Sequence, residues 1–281
     1  MKKKIVLALL LVAVVLTAVL GAAACTKTEL IGFDVELAQA VGKDLGVEVE
    51  FQLINWNNKE NELESKNVDL LWNGMTITEE REAQMEISEP YMLNEQVAII
   101  RKTDASKFDT LDKMLASKKW TAESGSAGAE LIPELGATLI GVSSQINILT
   151  ELNAGSADIG VMDSVMAGYY INETGSEYAD SLMIAPVKIA LEDEYYGIAA
   201  RKGEVALMDK INTSLAKLYA DGTVGKIAET YGLTDVILPV EYTSQWDSIA
   251  DKSSWDYIVN RGKIVIGYTL FAPIAYEVVA E

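Results

Sequence analysis

Residues 73–81, Asn-Gly-Met-Thr-Ile-Thr-Glu-Glu-Arg, carry the groups of an anion receptor. They follow the apolar run Val68-Asp69-Leu70-Leu71-Trp72, which reads as a short buried strand. Gly74 is expected to break that strand, so that backbone N–H groups, the Thr76 hydroxyl and the Arg81 guanidinium converge beyond its end. In an open α/β sheet that is where ligands bind. A planar guanidinium beside hydroxyls and amides suits a carboxylate, because it can bond both oxygens at once. A plain turn into a helix with an exposed arginine would use the same residues. A second candidate is Gly125-Ser126-Ala127-Gly128, which opens a helix where free N–H groups and the helix dipole favour an anion. An ordinary helix entry has the same composition. Asp163 follows the apolar strand 159–162, and it would serve equally as the N-cap of a helix over 164–173.

Charge and composition exclude several classes of function. The chain has 42 acidic residues against 23 basic ones, a formal charge of −19, and no histidine. Such a balance argues against nucleic-acid binding, which neutralises phosphates with Lys and Arg. It favours solubility but identifies no fold. Lack of histidine removes Ser-His-Asp and Cys-His catalysis and the commonest zinc ligand. No metal and no cofactor are expected.

The N-terminus reads Met1-Lys2-Lys3-Lys4, an apolar run over 5–20, then Gly21-Ala22-Ala23-Ala24-Cys25. A basic start, apolar middle and small residues before a cleavage point make a secretory signal, 1–24. A retained membrane helix is the alternative, since the run is nearly long enough to span. Cys25 is the only cysteine, so it has no internal disulfide partner. Lipidation of Cys25 after cleavage accounts for it, although Ala22 stands where the usual lipidation motif has a larger aliphatic residue. Ala22-Ala23-Ala24 also fits ordinary cleavage. Loss of three leader lysines takes the charge from −19 to −22.

The elements that must hold these residues alternate between helix and strand. Phe33, Leu37, Val41 and Leu45 repeat at helical spacing, with Asp34, Glu36, Lys43 and Asp44 on other faces and Gly46 as the stop. Residues 47–53 alternate strictly, with Val47, Val49, Phe51 and Leu53 inward. A helix over 57–66, strand 68–72, an extended segment 96–101, helix 111–117 and strand 119–122 continue the pattern. Strand, helix, strand and helix follow at 138–142, 143–154, 158–162 and 163–173. Residues 194–200 form a further strand, and Leu207, Ile211, Leu215 and Leu218 mark an amphipathic helix. Residues 234–249 are the least periodic and read as a linker, after which 255–258 looks helical and Lys263-Ile264-Val265-Ile266-Gly267 is a buried strand. The order predicts an α/β chain with mostly parallel sheets and helices on both faces.

Residues 73–81, with Ser88-Glu89-Pro90-Tyr91 after them, closely resemble the carboxylate-binding segment of extracytoplasmic solute-binding proteins for polar amino acids, which serve ABC importers. This resemblance implies the two-lobed type II periplasmic-binding-protein fold. Lobe 1 would comprise 25–100 and 193–281, including the linker 234–249, and lobe 2 would be 101–192. Two crossing segments near 96–102 and 188–196 would absorb the hinge motion. It implies that Arg81, Thr76 and the Gly74 backbone receive the ligand's α-carboxylate, together with Ser126 and Ala127 at the helix opening. Asp163 would bind the α-ammonium group, and Trp56 and Phe271 would form the walls of the side-chain slot. Core packing is the alternative for both aromatics.

Three positions depart from the family pattern. Tyr268 stands where relatives often carry an aspartate, Glu123 where they have an apolar residue or lysine, and Asn73 where they have a smaller residue. Together these favour a polar or cationic ligand side chain over an aliphatic one. The segment order also departs: the family's first helix-strand unit resembles 254–276 here, whereas Gly32-Phe33-Asp34-Val35-Glu36-Leu37 comes almost directly after the leader. That is the pattern of a circular permutation, with a truncated tandem as the rival account. The resemblance implies a monomeric receptor, outside the cytoplasm or anchored to the membrane by lipid, that hands an amino acid to an ABC transporter permease. The alternatives are an enzyme on the same fold, dehydratase-like or using a carboxylate pair, and a sensory ligand-binding domain.

Overall fold

The computed structural model describes residues 28–172, 176–190 and 193–279; the leader 1–24 and Cys25 lie outside them. The chain has two compact units. The larger, Leu30–Tyr276, contains both large sheets and the cleft; of the described residues, the smaller takes in Thr28, Glu29 and 277–279.

The strands in chain order are β1 Thr28–Ile31, β2 Glu48–Leu53, β3 Leu70–Thr76, β4 Met85–Ile87, β5 Met92–Asn94, β6 Gln96–Arg101 and β7 Trp120–Glu123. Then come β8 Leu139–Val142, β9 Ile159–Asp163, β10 Leu182–Ile184, β11 Glu194–Arg201, β12 Lys263–Tyr268 and β13 Tyr276–Val279. One sheet runs β2-β12-β3-β11-β4, with β5 also on β11, and the other runs β10-β6-β9-β7-β8. They are the sheets of the first and second lobe. β1 pairs with β13 in a two-stranded sheet.

β12 is parallel to both of its neighbours, with Ile264 opposite Val49 and Ile266 opposite Phe51 on one side and Leu70 on the other. Ile264 and Ile266 are buried, as a strand covered on both faces requires. The carboxylate of fully buried Asp69 locks this placement. It accepts from the Val265 N–H at 2.7 Å and from the Arg261 guanidinium, while the Asp69 N–H donates to the Val265 carbonyl at 2.7 Å.

The helix Phe33–Leu45 covers this sheet as its spacing predicts, burying Phe33, Leu37 and Val41, and Gly46 caps it in the left-handed region. It packs against the helices Val205–Ala220 and Thr223–Tyr231. Asp34 departs from expectation. It is buried, with its carboxylate accepting from the Tyr91 hydroxyl at 2.8 Å and the Gly74 N–H at 2.9 Å.

Three expected boundaries are corrected. Gly74 does not end its strand: β3 runs through to Thr76, with Gly74 at φ +60. Met75 is opposite Gly197 and Leu71 opposite Ala199, so β3 bulges between them and re-aims Asn73 and Gly74. Residues 96–101 belong wholly to the second sheet, so the first crossing between lobes lies at Glu95 and the expected boundary at 100 falls inside β6. The segment 234–249 is docked, with Leu93 and Leu238 amides bonded across to Val236 and Tyr91 carbonyls. Its Tyr242, Ser244 and Gln245 all donate to buried Asp209.

Candidate functional site

A cavity lies between the lobes at the strand ends, and most of the expected site residues line it. Trp56, Asn73, Gly74, Thr76, Arg81 and Phe271 face it from the first lobe. Glu123, Ser126, Ala127 and Asp163 face it from the second. Its volume is about 20 Å³, room for about one water molecule.

Arg81 sits in the short helix Glu79–Gln84, whose N-cap Thr78 accepts from the Arg81 N–H at 3.2 Å. The bulge brings β3 under the guanidinium, and Nη1 donates to the Thr76 carbonyl at 2.8 Å. Nη2 crosses to the second lobe and pairs with half-exposed Glu130 at 2.7 Å. A guanidinium has five N–H groups, so three remain for a ligand. Lys59 makes a parallel crossing, donating to the Gly125 carbonyl at 2.8 Å while paired with Glu60. Burial, and then the charge of Arg81, lower its affinity for a proton. Gly125 has φ +78, and a Cβ there would come within 3.0 Å of the Asn57 Cα. A larger residue would hold the lobes apart at this point.

Asp163 ends β9 between two sets of amides. Its Oδ1 accepts from Asn94 Nδ2 at 2.5 Å and Gln96 Nε2 at 2.8 Å, and its Oδ2 accepts from Gln145 Nε2. It makes no side-chain cap to the helix that follows, which removes the capping alternative. Asn94 and Gln96 also donate to Glu194 Oε2, at 3.1 and 2.9 Å, so two carboxylates share two amides. Burial raises the pKa of Asp163 against the lowering effect of these bonds. Burial and the charge of Asp163 raise Glu194.

Glu123 ends the neighbouring strand β7. It is 4 % exposed, and its Oε1 has no hydrogen-bond partner. Burial first, and then the Asp163 charge, push its pKa up to about 8.

Some expected roles are corrected. The Gly74 N–H is taken by Asp34, and the Thr76 hydroxyl donates to Glu194 at 3.2 Å, so neither points a free hydrogen into the cavity. The Ser126 hydroxyl accepts from the Ala129 N–H and caps its own helix. Tyr268 packs with Val35 and Ala275, edge-on to Phe51, and its neighbour Thr269 lines the cavity instead. Strand alternation turns adjacent residues to opposite faces, and β12 ends at Tyr268. Trp56 and Phe271 both belong to apolar clusters and also face the cavity, so core packing does not take them out of it.

Gln145, Thr269, Asn94, Gln96, Glu194 and Lys59 complete the site and were not singled out by sequence. Asn94 and Gln96 did leave a signal: two amides at alternate positions, on one face, at the start of an apolar extended stretch. Gln145 and Thr269 left none, because only the tertiary fold brings them in.

Comparison with known proteins follows this geometry. Residues 22–234 match the family described as bacterial extracellular solute-binding proteins, family 3. The probable histidine-binding protein of Neisseria gonorrhoeae is 28% identical over 208 residues, covering 73% of this chain and 76% of that one. The L-cystine-binding protein of Escherichia coli K12 is 27% identical over 210 residues, covering 74% and 76%. An amino acid ABC transporter substrate-binding protein of Streptococcus pneumoniae, solved with L-arginine bound, superposes with a TM-score of 0.66 at 26% identity, covering 73% of this chain and 84% of that one.

Proposed function

The chain belongs to the bacterial extracellular solute-binding proteins of family 3, and we propose that it closes its two lobes over a polar α-amino acid and presents it to an ABC transporter permease. The observation that carries this reading is that Arg81 and Asp163 line one cavity from opposite lobes. A guanidinium with three N–H groups to spare and a buried carboxylate complement the two ends of a zwitterion. The cavity is far smaller than an amino acid, so entry needs the lobes to part. The single-residue crossing at Glu95 and the crossing between β10 and β11 are where backbone rotation would do this. Closure then follows because the ligand binds the closed arrangement better than the open one.

We propose no catalytic step. The carboxylate pair an enzyme would need is present in Asp163 and Glu194, but shared amides hold both. As a receptor outside the cytoplasm the chain would lose its leader and be held by lipid on Cys25, acting as a monomer. Among the described residues, no helix is long and apolar enough to cross a membrane. The test is a thermal-shift screen of the purified protein against the twenty amino acids, since a ligand that binds only the folded state raises its melting temperature. One or a few polar amino acids should do so, and Arg81→Lys should remove most of the shift. No shift with any amino acid would overturn the reading.

The chain order is proposed to be a circular permutation. What supports this is that β12, from the far end of the sequence, fills the position between β2 and β3, and that β1 and β13 pair. The segment 235–281 lies outside the span matched to the family. Deleting 250–281 removes a central strand and, with Arg261 and Val265, both hydrogen-bond donors to the Asp69 carboxylate. The truncated protein should neither unfold cooperatively nor bind; a stable, binding-competent truncation would restore the tandem account.

A further inference from the structure

Within the amino-acid receptor reading, on which this inference rests, two acceptors in the cavity have no hydrogen donor. Glu123 lines it from the second lobe and Asn73 from the first; Glu123 Oε1 and Asn73 Oδ1 are buried without a hydrogen-bond partner, and both residues are at least nine-tenths buried. Asn73 turns its Nδ2 to the Thr269 hydroxyl at 3.1 Å. Buried polar atoms are satisfied in the great majority of cases, and exceptions mark where something else supplies the partner. Here that partner must bring hydrogens to both lobes.

Charge narrows the partner further. The α-ammonium and α-carboxylate of a ligand cancel one another and are matched by Asp163 and Arg81. Of the other charges, Arg81 is already paired with Glu130, and Lys59 with Glu60 and the Gly125 carbonyl. Lys59 acts on Glu123 through its field alone, lowering the pKa less than burial and Asp163 raise it. With no cation beside it, the buried Glu123 carboxyl keeps its proton near neutral pH, because an unpaired charge is expensive there. An aliphatic side chain would leave it so. A carboxamide could bond the neutral carboxyl, but it brings no charge to match the ionised one.

We infer that Glu123 is the counter-ion for a positively charged ligand side chain, an ammonium or guanidinium, with Asn73 as its second acceptor. Glu123 thereby selects cationic amino acids against neutral ones of equal size. When the cation arrives, the carboxyl must be ionised, so a proton held near neutral pH is expelled on binding.

The experiment is titration calorimetry with L-arginine and L-citrulline, which have the same length and planar end and differ in charge, alongside L-lysine and L-glutamine. The native protein should prefer a cation to its neutral counterpart by about 100-fold, as expected for matching a buried charge against leaving it unpaired. Glu123→Gln should bring the ratio to within a few-fold. Heats measured at pH 7 in buffers of different ionisation enthalpy should show proton release with the cation and none with the neutral ligand; this readout needs no variant. Equal affinity for both members of each pair, or an unchanged ratio in Glu123→Gln, would overturn the assignment while leaving the receptor reading intact. No binding by any of the four, with none by the other amino acids, would instead remove the receptor reading itself.

Discussion

Asp163 and Glu123 are both buried carboxylates, at the ends of β9 and β7, two strands paired in parallel. Three carboxamides from Asn94, Gln96 and Gln145 hold Asp163, whereas Glu123 Oε1 has no donor. Burial raises the pKa of each, but only for Asp163 do hydrogen bonds work against it. The difference separates two uses of a buried acid. One is fixed in place before any ligand arrives and organises the amides that bridge the lobe crossing. The other is left for the ligand to complete. Strand position alone does not distinguish them; the donors that other segments bring do.

The largest expected effect tests the fixed member of the pair. Asp163→Ala leaves the buried Gln145 amide without its acceptor and Asn94 and Gln96 with Glu194 alone, and a buried unsatisfied group costs on the order of 1–3 kcal/mol. Urea unfolding should show a loss on the order of 1–3 kcal/mol, together with the larger effect, loss of ligand binding. Unchanged stability would mean that Asp163 organises nothing.

The second effect has the opposite sign. Glu123 is raised to about 8 and Asp34 to about 7, both by burial first. In the unfolded chain such carboxyls titrate near pH 4. From there up to the folded pKa, the native state holds protons that the unfolded state has lost, so stability falls as pH rises. Glu123→Gln should remove its share of that fall and stabilise the protein at pH 8 by on the order of 2–4 kcal/mol relative to pH 4. The Asp34 share should persist. Equal slopes of stability against pH in the two proteins would show that Glu123 is already paired.

The smallest effect concerns the ion pair that closes the cleft between Arg81 and Glu130. Glu130 is half exposed, and pairs of this kind contribute roughly 0–1 kcal/mol. Glu130→Ala should change ligand affinity by no more than about five-fold. A loss as large as that of Arg81→Lys would place Glu130 within the receptor proper.

Much of the fold was legible in local pattern. The period of Phe33, Leu37 and Val41 gave the helix Phe33–Leu45, and the unbroken apolar run Ile264-Val265-Ile266 gave a central strand. Asp163 could likewise be placed at a strand end, and Arg81 in the short helix just beyond one. Other expectations failed for identifiable reasons. Asp34 is polar on a helix whose acids otherwise look solvated, yet a tyrosine hydroxyl and the bulged Gly74 amide reach its Oδ2 from elsewhere. Gly74 looked like a terminator because glycine weakens strands, but pairing with β11 carries the strand past it. The segment 234–249 has no periodicity because it is held on Asp209 by two hydroxyls and the Gln245 N–H and by two strand-like bonds, neither of which leaves a repeat.

By itself, the sequence determined the alternating elements, the buried strand at the far end of the chain and the charged residue types near the strand ends, because period and residue type act over a few neighbours. Only the tertiary structure decided that Thr269 and not Tyr268 lines the cavity, that Gln145 reaches Asp163, and that Glu123 has no donor. Each of those outcomes depends on which distant segments converge on one point, and hydrogen-bond satisfaction is a property of that point rather than of any stretch of chain.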